Sequence, residues 1–388
     1  MRDEDVTTPR GGAQVLQVTA RYFPDGGGIE THVSEVCRRL VTRGVSVAVL
    51  TTDRSRELPA ELHDDGFLVE RVPAWPRHRD YYLAPAIWGR VRRGPEDVVH
   101  CQGVHTLVPV VAMVAALSVR KPFVVTFHTG GHSQGHRNAM RGVQFRLLSP
   151  LLRRAEALIG VSRFERDLFQ DVVRAPDDRM HVIRNGGSLP PADVGVPTGT
   201  GTVLLSVGRL ERYKGHHRLI EALPHLLEDH PDARVVVLGT GPYEDDLRSL
   251  AVALGVEDRV EITSIAGDDR AAMATRMAAA AVVVMLSDYE AHPVAVMEAL
   301  TLGRPVLVLR TSGLTELADD GLVAGIEESA DSSAVASALR AMLDAPQAAS
   351  RPGPALPTWE TCADALVEVY RGIGLRVADP DQATSSAP

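Results

Sequence analysis

Two glutamates separated by seven residues, in Glu290-Ala291-His292-Pro293-Val294-Ala295-Val296-Met297-Glu298, make the strongest chemical demand in this sequence. Pro293 suits the first turn of a helix, so Glu290 precedes that helix and Glu298 lies about one and a half turns inside it. Ala295, Val296 and Leu300 would pack inward. A carboxylate on so apolar a helix is costly unless it is paired or holds a ligand. An internal salt bridge and the neutral hydroxyls of a sugar or ribose both meet that need. A second group, Arg209 and Lys214 in Ser206-Val207-Gly208-Arg209-Leu210-Glu211-Arg212-Tyr213-Lys214-Gly215, follows an apolar run and can converge on one diphosphate. The arginine would act as a planar fork and the lysine as a point charge; plain solvation of both is the alternative. A third group is Pro24-Asp25-Gly26-Gly27-Gly28-Ile29-Glu30, where glycines let the backbone approach a ligand and a helix start attracts an anion. Its glycines are consecutive and miss the G-x-G-x-x-G spacing, so a tight turn fits as well. His128, His132 and His136 would align as metal ligands only on a helix, which Gly130, Gly131 and Gly135 oppose. No metal is expected, and the segment reads as a mobile loop.

These residues need a scaffold, and short β-branched runs alternating with helical patterns supply it. Val15–Val18, Val45–Leu50, Val98–His100, Phe123–Phe127, Leu158–Val161 and His181–Ile183 read as strands, with helices over Glu30–Arg43, Thr106–Val119, Asn138–Arg154 and Arg163–Phe169. Near-continuous apolar strands separated by helices imply an α/β fold with a parallel sheet covered on both faces. The alternation breaks at Gly186–Gly201, rich in Gly and Pro, and restarts with strands over Val203–Val207, Arg234–Leu238, Val260–Thr263, Val282–Leu286 and Pro305–Leu309. Two doubly wound, Rossmann-like domains facing across a cleft follow, with ligands beyond the carboxyl ends of the strands. The expected bounds are a first domain over 1–190, a linker over 191–201, a second domain over 202–357, a helix over 358–374 and a disordered tail over 375–388.

The 388 residues suit two domains, and 45% hydrophobic with 23% charged residues describes an ordinary folded core. A formal net charge of −9 argues against a nucleic-acid partner held by general basic charge. That figure averages +4 over residues 1–195 and −13 over 196–388, so the first half alone is mildly basic. Arg137, Arg141, Arg146, Arg153 and Arg154 interleave with Met140, Val143, Phe145, Leu147 and Leu151, which fits a solvated face or a helix lying on a membrane surface. Three scattered cysteines, a polar start from Met1 to Gln14 and no membrane-length apolar run lead to the expectation of a cytoplasmic protein.

Taken in order, Gly27-Gly28, Thr126-Phe127-His128, Val161-Ser162, Asn185-Gly186, Gly208-Arg209 with Lys214-Gly215, Gly239-Thr240-Gly241-Pro242 and Glu290-x7-Glu298 resemble retaining glycosyltransferases of family 4. The likeness runs from about residue 15 to 310 and extends through Glu298-Ala299-Leu300-x-x-Gly303-x-Pro305-Val306. It implies a GT-B architecture, with the acceptor held by the first domain, the nucleotide sugar by the second, and the last helix, Thr358–Tyr370, crossing back to the first. By position, Arg209 and Lys214 would neutralise the donor diphosphate in place of a metal ion. Glu298 would hold the ribose, Glu290 would face the transferred sugar, and His128 would sit beside it. Gly27 and Gly28 would touch the diphosphate from across the cleft, and Gly241 would line the donor site. The resemblance implies a nucleoside-diphosphate sugar as donor, a UDP-sugar first and GDP-mannose as its competitor, with a small-molecule or lipid-linked acceptor. A nucleotide-sugar 2-epimerase and a non-catalytic nucleotide-sugar-binding protein are the rival readings. Two departures stand out: Ala291-His292-Pro293 replaces the small residue and Phe-Gly usual after the first glutamate, and Thr263-Ser264-Ile265-Ala266-Gly267 replaces Phe-x-Gly after the third strand of the second half.

Overall fold

The computed structural model describes residues 14–77, 82–129, 135–191, 202–345 and 355–377, with 135–141 as backbone only. The first half contains β1 (Gln14–Val18), α1 (Gly28–Thr42), β2 (Ser46–Asp53), β3 (Glu61–Asp64), β4 (Phe67–Pro73), α2 (Ala86–Arg93), β5 (Val98–Gln102), α3 (Leu107–Ser118), β6 (Phe123–Thr126), α4 (Gly135–Leu152), β7 (Ala157–Gly160), α5 (Arg163–Val173) and β8 (Met180–Val182). Its sheet runs β3-β4-β2-β1-β5-β6-β7-β8, parallel except for the antiparallel edge strand β3. The second half contains β9 (Val203–Val207), α6 (His216–Leu227), β10 (Arg234–Leu238), α7 (Glu244–Ala253), β11 (Val260–Thr263), α8 (Arg270–Ala278), β12 (Val282–Met285), α9 (Val294–Thr301), β13 (Val306–Leu309), α10 (Ser312–Asp319), β14 (Ala324–Ile326) and α11 (Ser332–Asp344). Its strands are all parallel in the order β11-β10-β9-β12-β13-β14.

Both sheets reverse their winding beside their first strand, between β1 and β5 and between β9 and β12, and a crevice opens at the carboxyl ends there. Each half is therefore of the doubly wound type, and together they form the GT-B architecture. The sequence reading did not anticipate β3, β4, α2 or β14. β3 is exposed along most of its length and β14 has only three residues, so neither carries the apolar run by which a buried strand is recognised.

The final helix, α12 (Trp359–Gly372), begins with a capping box in which Thr358 and Thr361 satisfy each other's backbone N–H groups. Its Trp359, Cys362, Leu366 and Tyr370 are buried in one apolar cluster with Val33, Val36, Cys37 and Leu40 of α1, so it packs on the first sheet. On α4, Phe145 is buried while Val143 and Leu147 are exposed, which leaves both readings of that basic-apolar segment standing. Among the described residues no helix is long and apolar enough to cross a membrane. The expected tail from 378 onward, residues 192–201 of the expected linker, and His132 lie outside the described residues, as does the side chain of His136.

Candidate functional site

The second half supplies the charged groups. β9 ends at Val207, the chain turns through Gly208, and Arg209 emerges at the crevice with its side chain 58% exposed. Arg209 pairs with Glu211 at 2.9 Å and donates to the Tyr213 hydroxyl at 3.1 Å. A single helical turn over Arg212–Lys214 then brings Lys214 Nζ 2.5 Å from Glu290 Oε1. Burial works to lower the Lys214 pKa, but the neighbouring Glu290 charge outweighs it and the ammonium is held above its usual range. Gly241, after β10, lies under this turn: a Cβ there would sit 2.4 Å from the Leu210 carbonyl oxygen.

Glu290 follows β12 and is stapled to the start of α10. Its N–H donates to Ser312 Oγ, while its carbonyl oxygen accepts from Ser312 Oγ and from the Gly313 N–H, each at 2.9 Å. Pro293 caps α9 and the helix begins at Val294, one residue later than the sequence reading placed it, which makes Glu298 its fifth residue. Glu298 is 3% exposed and pairs with Arg270, whose guanidinium also donates to the Ser188 carbonyl oxygen. The salt bridge weighed as one alternative from sequence is therefore present. Burial pushes the Glu298 acid up to about 7, against the pull of Arg270.

The first half supplies backbone and neutral rings. Gly27 caps α1 and Gly28 opens it, directly after the loop that leaves β1. His128 follows β6 with φ of +91°, a left-handed conformation that side chains other than glycine rarely adopt. The buried carboxylate of Glu165 holds it there: Oε1 accepts from the N–H groups of His128 and Thr129 and from Thr129 Oγ1, and Oε2 accepts from the Val161 N–H at 2.8 Å. The His128 ring lies edge-on to His32 with centroids 4.6 Å apart, and His128 Nε2 is 2.8 Å from Gln102 Oε1. Burial, with the neighbouring histidines, holds His128 neutral well below the usual imidazole range.

The two halves meet around this crevice. A Cβ on Gly26 would lie 2.7 Å from the Cα of Gly267, so the glycine loop and the loop after β11 touch backbone to backbone. Thr129 Oγ1 is 2.9 Å from the Tyr289 hydroxyl, and Asn185 bridges His32 Nδ1 to the His292 carbonyl oxygen, both at 2.8 Å. Farther out, Glu316 of α10 accepts from the first N–H groups of α5 and pairs with Arg184, and Asp320 bonds Arg163 and Arg184. Lys214 and Glu290 are thus paired beside Arg209, Gly28 lies against Val294 at the start of α9, and Thr129, next to His128, meets Tyr289, next to Glu290, while Glu298 is tied to Arg270.

Residues 26–188 match the family model described as Glycosyltransferase Family 4, and residues 194–357 match that of Glycosyl transferases group 1. A D-inositol 3-phosphate glycosyltransferase of Nocardiopsis dassonvillei is 31% identical over 395 residues, covering 89% of this chain and 90% of that protein. The chain belongs to glycosyltransferase family 4. Among solved structures, sucrose-phosphate synthase of Thermosynechococcus elongatus superposes on this glycosyltransferase with a TM-score of 0.75 at 19% identity, covering 93% of this chain and 99% of that one. Anabaena HepE in complex with UDP-glucose gives a TM-score of 0.66 at 20% identity, over 95% and 97% of the two chains. Both likenesses support the GT-B fold. Within the enzyme, sequence reasoning missed Arg270, Glu165, Gln102 and Tyr289. Gln102 alone left a trace, as an amide ending a strand whose only other polar residue is His100.

Proposed function

We propose that this glycosyltransferase moves a hexosyl group from a UDP-sugar to a hydroxyl of a small-molecule or lipid-linked acceptor, with retention at the anomeric carbon. The observation that carries the reading is the pairing of Lys214 with Glu290 beside Arg209 at the second switch point, opposite the glycine loop and the neutral His128. The likeness to HepE, whose structure contains UDP-glucose, supports a uridine nucleotide as donor.

In this reading Arg209 and Lys214 receive the diphosphate and stabilise the charge that grows on it as the bond from the anomeric carbon to the β-phosphate oxygen breaks. The acceptor hydroxyl attacks the same face of the sugar, its proton passes to the departing phosphate oxygen, and UDP leaves. Glu290 orients the sugar hydroxyls, and Glu298, whose Oε1 accepts from Arg270, accepts the ribose hydroxyls as well. The protein contributes position and electrostatics, with no covalent step of its own.

A panel of UDP-glucose, UDP-galactose, UDP-N-acetylglucosamine and GDP-mannose, scored for nucleotide release and for the anomeric coupling constant of the product, tests this directly. Release of UDP with an unchanged anomeric configuration is expected. Turnover of GDP-mannose alone, or inversion, overturns the reading.

A further inference from the structure

Six side chains run unbroken from the final helix to the crevice. Gln17 on β1, His100 and Gln102 on β5, Thr126 on β6 and Tyr370 on α12 are each no more than 1% exposed, and the sixth is His128. Strand register puts Gln17 beside His100 and Gln102 beside Thr126, so polar groups sit together within the central strands of an apolar sheet. Buried polar groups at such a place must satisfy one another, because water cannot.

Their donors and acceptors fix a direction. Gln102 donates through Nε2 to Gln17 Oε1 at 2.7 Å, which leaves Gln102 Oε1 to accept from His128 Nε2 at 2.8 Å. His128 therefore carries its proton on Nε2. Gln17 donates through Nε2 to the Tyr370 hydroxyl at 3.1 Å and also lies 3.4 Å from His100 Nδ1, to which that hydroxyl donates at 2.7 Å. His100 then keeps its proton on Nε2 and donates to Thr126 Oγ1 at 2.7 Å. Reversing one link reverses all of them, so the tautomers of His100 and His128 are coupled. His128 Nδ1 has no hydrogen-bond partner among the described residues, while Glu165 fixes its backbone.

We infer that Tyr370, Gln17 and Gln102 are positioning residues that lock the proton of His128 on Nε2, so that Nδ1 is presented as an acceptor for a hydroxyl of the bound sugar. The inference rests on the proposed placement of the donor sugar beside His128. It makes the final helix part of the site without touching substrate.

The test reads the ring nitrogens by 15N NMR and UDP-glucose hydrolysis in parallel. In the wild-type enzyme, His128 should show a slowly exchanging Nε2–H and a pyridine-like Nδ1. Tyr370→Phe keeps the packing but leaves Gln17 Nε2 only its longer 3.4 Å contact to His100 Nδ1, and should move both His128 nitrogen shifts toward a tautomer average. It should also lower kcat about tenfold, with the KM for UDP-glucose within about twofold, as loss of alignment at a distance does. Gln102→Leu should do the same more strongly, and Gln102→Glu, which keeps an acceptor for Nε2–H, should recover part of the rate. A proton found on Nδ1 in the wild type overturns the relay itself. A locked Nε2–H with wild-type kcat in both Tyr370→Phe and His128→Ala overturns it through the sugar-side placement of His128 instead.

Discussion

Replacing Glu298 by glutamine should remove a definite pH dependence from the stability of the enzyme. Glu298 is 3% exposed, and burial raises its acid from an ordinary 4.5 to about 7 even with Arg270 beside it. A carboxyl group raised in the folded state binds more protons there than in the unfolded chain, so stability falls as pH rises between those two values. Its contribution is present in full below the unfolded value and is lost as pH passes the folded one. The loss amounts to about 3 kcal/mol. Glu298→Gln keeps the shape and an acceptor for Arg270 but cannot titrate. Urea unfolding at pH 5 and pH 8 should therefore show the wild type losing roughly 2 kcal/mol more than the variant across that interval. If the ribose binds Glu298 as proposed, its hydroxyls donate to the ionised carboxylate, so UDP binding near neutral pH should release protons. Calorimetry in buffers of different ionisation enthalpy measures it. Parallel stability profiles for the two proteins, together with buffer-independent binding heats, would refute the reasoning.

Lys214→Ala should lower kcat/KM for the UDP-sugar by about two to three orders of magnitude, and Lys214→Arg should not restore it, because the planar fork does not fit beside Glu290 as a point charge does; steady-state kinetics decide. Gly26→Val places a Cβ only 2.7 Å from the Gly267 Cα, so the two backbones must part. A larger radius of gyration by small-angle scattering and a raised KM are expected, and no change in either counts against the contact. Glu165→Ala strips a shared acceptor from the N–H groups of Val161, His128 and Thr129, which should cost about 3 kcal/mol in urea unfolding, with Glu165→Gln milder.

The chain order of apolar runs made the two sheets legible, because strands buried on both faces are written as continuous valine and leucine. Arg209, Lys214 and Glu290 were legible because each follows such a run at its carboxyl end. Arg270 was not: it opens α8, and only the folded chain brings it against Glu298, 28 residues later. Glu165 was hidden in the same way, since an acid in the first turn of a helix reads as a partner for the helix dipole rather than as a clamp on a distant loop. Gln17, His100 and Gln102 carried a signal in plain view, three polar residues inside otherwise apolar strands. Their partner Tyr370 lies 353 positions beyond Gln17, farther than any local pattern reaches.

That same span governs how the molecule can be made. One of the two apolar clusters of the first half is closed by Trp359, Leu366 and Tyr370, which leave the ribosome after the whole second domain. Until then His32, His100 and Gln17 lack the partners that α12 brings to that layer. The second domain, whose two apolar clusters draw on residues 189–343 alone, can finish first although it is synthesised second. α12 is therefore the closing piece of the first-half layer, set in place after the second domain has left the ribosome.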